Sequence, residues 1–125
     1  MIKVWVNGAF DLLHEGHLAF LKEAKEQGDF LIVGLNSDNS IKTYKAKDRP
    51  IDSQEIRKKK LLATGIVNQV IIFDEPSPIK VIKETNPDLI VRGHDQKIEP
   101  ELADFKIYRA KKFGDISTTK ILRGS

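Results

Sequence analysis

The chain has no cysteine at all among its 125 residues. That excludes a disulfide framework and any thiolate-held metal. Aromatic residues are sparse at 7%, with one tryptophan and one methionine. No apolar run approaches the length of a membrane span, and the first residues enter a strand-like run with no signal-peptide pattern. These absences lead us to expect a cytoplasmic protein that makes no membrane contact. An excess of charge of one sign is also nearly lacking, since the formal net charge is only +3. A polyanion-binding face calls for basic residues in a concentrated patch with interleaved aromatics. The densest basic run, Arg57-Lys58-Lys59-Lys60, lacks the aromatics and reads as a solvated helix face, so no nucleic-acid partner is expected.

What is there is an ordinary globular composition, 40% hydrophobic and 31% charged, at a length that suits one domain over residues 1–125. Apolar runs at 2–6, 30–35, 70–73, 89–91 and 105–108, the last extending toward 110, read as strands. Helical patterns fall between them. Residues 16–27 place Leu18, Phe20, Leu21 and Ala24 near one face, with Gly28 as the expected stop. Asn36-Ser37-Asp38 caps a short helix, and residues 43–50 read as a polar, lysine-bearing mobile loop. Asp52 or Ser53 opens a helix to about residue 63, residues 79–84 form another, and Pro87 breaks it. Ser117 opens a last helix. The alternation predicts an α/β, Rossmann-like single domain with a parallel five-stranded sheet flanked by helices. Trp5, inside the first strand, reads as core.

That order brings several polar loops to one sheet edge, where open α/β folds bind ligands. The first is Asn7-Gly8-Ala9-Phe10-Asp11-Leu12-Leu13-His14-Glu15-Gly16-His17, where a strand hands over to a helix. Two imidazoles, a flexible glycine and a helix N-terminus together suit a phosphate group. The same edge receives Asp38, Arg92-Gly93-His94-Asp95 and Ser117-Thr118-Thr119. A histidine pair spaced in this way can also hold a metal. Here His94 is the one further histidine, which leaves few ligands, and no protein-held metal is expected.

The first segment resembles the H-x-G-H signature of the cytidylyltransferase-like nucleotidyltransferases, and Ile116-Ser117-Thr118-Thr119-Lys120-Ile121 resembles their second motif. The resemblance implies transfer of a nucleoside monophosphate from a triphosphate to a phosphorylated acceptor, with pyrophosphate leaving. It implies that His14 and His17 act at the transferring phosphoryl group, that Asp11 organises the site, and that Lys45 closes over the triphosphate. Gly8, Ala9, Phe10, Arg92, Gly93, Asp95, Ser117, Thr118 and Thr119 would line the nucleotide, and Asp38 and Arg57 the acceptor. Mg2+ would enter with the nucleoside triphosphate. Related enzymes are commonly dimers, so a homodimer is expected.

Leu35-Asn36-Ser37-Asp38, Lys45, Arg49-Pro50, Arg57, the segment from Phe73 to Pro78 and that from Pro87 to Asp95 resemble the nucleotidyltransferase domain of the bifunctional ADP-heptose synthases. This resemblance implies a heptose-1-phosphate adenylyltransferase, detached from the sugar-kinase domain, serving cell-envelope sugar synthesis. Glycerol-3-phosphate cytidylyltransferase is the second reading. It is weakened where Gly65 and Asn68 stand in place of an expected arginine and aspartate. His94 departs from both patterns. A non-catalytic nucleotide-binding protein on the same fold is the reading from another class; the intact histidine pair and Ser-Thr-Thr segment argue against it.

Overall fold

The computed structural model describes residues 1–93 and 96–111. Within them lies one five-stranded, all-parallel sheet in the order β3-β2-β1-β4-β5. The strands are β1 (Lys3–Gly8), β2 (Phe30–Asn36), β3 (Gln69–Phe73), β4 (Leu89–Arg92) and β5 (Ile107–Arg109). The helices are α1 (Glu15–Lys25), α2 (Asp38–Tyr44), α3 (Gln54–Ala63) and α4 (Ile79–Thr85), with a 3-10 turn at Pro100–Leu102.

Alternation along β1 decides the two cores. Val4 and Val6 face one side and pack with Leu31, Val33 and Leu35 under Phe20, Leu21 and Ala24 of α1 and Leu61 of α3. Trp5 faces the other side, with Ile32 and Ile90, under Val81 and Ile82 of α4 and Leu102. Both faces are thus covered, which is why the strands read as unbroken apolar runs. Trp5 is fully buried, as expected, and its Nε1 donates to Asn7 Oδ1 at 3.0 Å. The indole lies across β2 where Gly34 sits, and a Cβ on Gly34 would overlap it.

Several boundaries differ from expectation for local reasons. α1 ends at Lys25, with Glu26 as its right-handed cap, so Gly28 does not stop the helix. Its missing Cβ matters for a close approach instead, since that atom would lie 2.8 Å from the Ile2 carbonyl oxygen. α2 runs to Tyr44 because the Ser37 hydroxyl accepts from the Ser40 N–H and the Lys45 N–H closes on Ile41; the lysine-bearing loop therefore begins at Lys45. α4 does stop before Pro87, through a left-handed Asn86 whose N–H bonds the Ile82 carbonyl. Phe105 belongs to the turn before β5, its N–H bonded to Leu102. The helix expected from Ser117 lies outside the described residues.

The connections place the carboxyl ends of β1 and β4 side by side, and from β1 the chain order runs outward in opposite directions. This is the switch point at which such sheets open a crevice. The histidine turn after β1 and Arg92 at the end of β4 adjoin it.

Candidate active site

The turn from β1 into α1 is conformationally costly. Phe10 and Leu12 both adopt left-handed backbone, at φ 49° and 54°. Non-glycine residues pay for that geometry, and such strain collects where a site must hold a shape. Gly8 lets the Phe10 ring fold back over the end of β1, since a Cβ there would stand 3.1 Å from the ring. The same ring lies 5.4 Å from that of His17, tilted by 59°.

His14 is the N-cap of α1, and His17 sits at its third position. The two complete a reciprocal cap. Nδ1 of His14 accepts the Gly16 N–H at 3.0 Å, and Nδ1 of His17 accepts the His14 N–H at 3.3 Å. Serine and glutamate commonly fill these places; here imidazoles do. Because each Nδ1 is an acceptor, each neutral ring carries its proton on Nε2. The rings stack loosely, with centroids 3.9 Å apart. His14 Nε2 is buried and has no hydrogen-bond partner among the described residues. It is a donor without an acceptor, at the positive end of a helix.

Protonation would oppose this arrangement. Burial pulls His17 down to about 4, the neighbouring His14 adds to the effect, and Asp11 works against it. Burial also lowers His14. Both rings are therefore neutral N–H donors at pH 7.

The other expected site residues fall into two groups. Asp11 is buried, and its carboxylate accepts the N–H groups of Ile51 at 2.8 Å and Asp52 at 2.9 Å. It thereby fastens the segment after Lys45 to the histidine turn, and Arg49 Nη1 stands 3.5 Å from it. Arg57, only 1% exposed, reaches into the interior. Its Nη1 donates to the carbonyls of Ala9 at 2.9 Å and Asn36 at 2.7 Å, its Nε to that of Asp52 at 3.0 Å, and its Nη2 to Asp38 at 2.7 Å. Arg57 and Asp38, the residues expected at the acceptor, thus stand side by side. These two groups hold each other, and Arg57 joins the ends of β1 and β2 to the start of α3. The basic run that contains Arg57 is correspondingly split. Lys58, Lys59 and Lys60 are exposed, and Lys60 pairs with Asp52 at 2.7 Å.

Lys45 caps the end of α2 in an exposed position, and partial desolvation still lowers its ammonium from the ordinary lysine value. At the end of β4, Arg92 is buried 3.2 Å from Glu99, without hydrogen-bond alignment. Burial lowers its pKa, and Arg109, its register partner on β5, adds to this while Glu99 opposes it. The Gly93 N–H is held by the Gln96 side chain. His94, Asp95, Ser117, Thr118 and Thr119 lie outside the described residues. Sequence reasoning gave Arg49 no role, although an Arg-Pro pair stands in the lysine-bearing loop. No cluster of three metal-ligating side chains occurs among the described residues, and no helix among them is long and apolar enough to cross a membrane.

Known proteins similar to this chain share its sequence and its fold. The bifunctional protein HldE of Campylobacter concisus (strain 13826) is 49% identical over 94 residues, which cover 75% of this chain and 20% of that protein. HldE of Helicobacter pylori (strain HPAG1) is 50% identical over 92 residues, covering 74% and 20%. The chain thus spans about a fifth of the length of the curated relatives it matches. Among solved structures, a lipopolysaccharide core biosynthesis protein from Thermoplasma volcanium GSS1 superposes with a TM-score of 0.78 at 33% identity, over 90% of this chain and 98% of that one. Pantoate-beta-alanine ligase from Francisella tularensis shares the fold alone, at a TM-score of 0.61 and 17% identity over 87% of this chain and 58% of that one. The cytidylyltransferase-like family matches residues 5–124. With the paired histidines seated at the switch point of a parallel sheet, the chain belongs to the cytidylyltransferase-like family and is a nucleotidyltransferase.

Proposed function

We propose that the chain transfers AMP from ATP to heptose 1-phosphate and releases pyrophosphate. A phosphate oxygen of the acceptor attacks the α-phosphorus, a new P–O bond forms, and the bond to the β-phosphate breaks. The leaving group departs as pyrophosphate, and no proton has to move. Such a reaction asks the protein for alignment and for donors where negative charge gathers. The carrying observation is the reciprocal histidine cap, which holds two neutral Nε2–H groups in one place, one of them without a partner among the described residues. Neutral donors stabilise a charged phosphoryl group without binding the products as tightly as fixed cations would.

Lys45 would neutralise the triphosphate from the loop, and Ser117, Thr118 and Thr119 would take its outer phosphates. The described residues form no magnesium cage, and the Asp11 oxygens already serve the backbone at 51 and 52. A magnesium ion would therefore be held chiefly by phosphate oxygens. The choice of acceptor is supported by the HldE relatives and the lipopolysaccharide core neighbour.

The test is pyrophosphate release with ATP, CTP and GTP, each against heptose 1-phosphate and glycerol 3-phosphate. Turnover confined to ATP with the heptose phosphate is expected. Turnover with CTP and glycerol 3-phosphate would overturn this assignment in favour of the second reading.

A further inference from the structure

Arg49 belongs to none of the roles above. It lies in the segment between Lys45 and the backbone N–H groups that Asp11 holds. Its side chain is 18% exposed, and its Nη1 is buried without a hydrogen-bond partner among the described residues. Among the described residues it stands 3.5 Å from Asp11 Oδ2, which accepts from the Ile51 N–H. The guanidinium is thus near a carboxylate but not satisfied by it. Asp11 is close enough to His17 to act on its charge, so one side chain links Arg49 to the reacting end of the site. A buried guanidinium donor left unpaired is costly, and its planar fork suits two phosphate oxygens.

We propose that Arg49 is a substrate-binding residue whose guanidinium takes a phosphate group of the bound substrate beside the histidine pair. Asp11 keeps the side chain in place until that phosphate arrives. The inference rests on the nucleotidyltransfer reading. The phosphate can come from the triphosphate or from the acceptor, and the two sources separate by experiment.

The experiment uses the full chain. ATP, CTP and pyrophosphate affinities are measured by calorimetry, and the KM for the sugar 1-phosphate by pyrophosphate release, for the wild type, Arg49→Ala and Arg49→Lys. A tenfold or greater loss is expected in Arg49→Ala, with Arg49→Lys intermediate and the melting temperature little changed. If the triphosphate supplies the phosphate, ATP and pyrophosphate affinities fall together. If the acceptor supplies it, those affinities hold and the KM for the sugar phosphate rises. Unchanged values throughout overturn the role of Arg49. So does a lowered melting temperature with ATP affinity, acceptor KM and kcat all impaired alike in both variants, because that marks a structural role. Wild-type protein that binds no triphosphate would instead defeat the underlying functional reading. Should Arg49→Ala fail to fold, Arg49→Gln supplies the same comparison.

Discussion

The Nδ1 atom of His17 accepts the backbone N–H of His14 at 3.3 Å. One residue of the proposed catalytic pair is thereby a ligand of the other's main chain, and helix capping and the proposed phosphoryl chemistry share the same two rings. The roles separate by substitution. Asparagine caps as well as any residue, and glutamine completes a reciprocal cap from the third position. His14→Asn and His17→Gln should each keep stability within about 1 kcal/mol in urea denaturation. Each should lower kcat by roughly 100-fold or more, with triphosphate affinity much less affected. A kcat close to wild type would remove the rings from the chemistry.

Acid should weaken the fold through His17. In the unfolded chain this imidazole takes its proton near 6.5, and in the folded chain only near 4. Between those values the unfolded state binds the extra proton. The stability from neutral His17 is therefore complete above about pH 6.5 and is lost as pH falls toward 4, a difference of about 3 kcal/mol. Urea melts across that window should show a shallower pH slope in His17→Gln than in wild type. Parallel slopes would mean that the ring titrates alike in both states.

Arg57 should matter for architecture more than for substrate. Arg57→Met abandons three carbonyls and leaves Asp38 without its cation. The guanidinium is buried while Asp38 is partly exposed, so losing the pair together with the three carbonyl bonds should cost about 2–4 kcal/mol. Thermal and urea unfolding measure the loss directly. A loss below about 1 kcal/mol would show that the three segments hold without the guanidinium.

Gly34 and Trp5 form a matched pair across adjacent strands. Gly34→Ala drives a methyl into the indole and should cost about 1–3 kcal/mol. In a Trp5→Phe background the smaller ring leaves room, so the same change should cost much less. A double-mutant cycle reads the coupling, and additive losses would show that the contact carries no such strain.

Much of this architecture was legible beforehand, because burial on both faces turns parallel strands into apolar runs that stand out from their surroundings. The histidine turn was legible for a similar reason, since a strand runs into it and a helix pattern leaves it. Arg57 was not. Its neighbours Lys58, Lys59 and Lys60 make the segment look solvated, and what draws it inward is a set of carbonyls on Ala9, Asn36 and Asp52. Main-chain oxygens have no residue signature. Gly28 was noticed for the wrong reason, as close approach and left-handed backbone favour the same residue. The 3-10 turn at Pro100–Leu102 is too short to impose a period.

Placing β1 in the middle of the sheet has a consequence for biosynthesis. Of the five strands, the one that carries the histidine turn is made before the other four, yet one of its edges pairs with β2 and the other with β4. Until Leu89 and Ile90 emerge, that second edge is a row of unpaired amides and carbonyls, open to any passing strand. The nascent chain is thus open to wrong association along the strand that leads into the histidine turn.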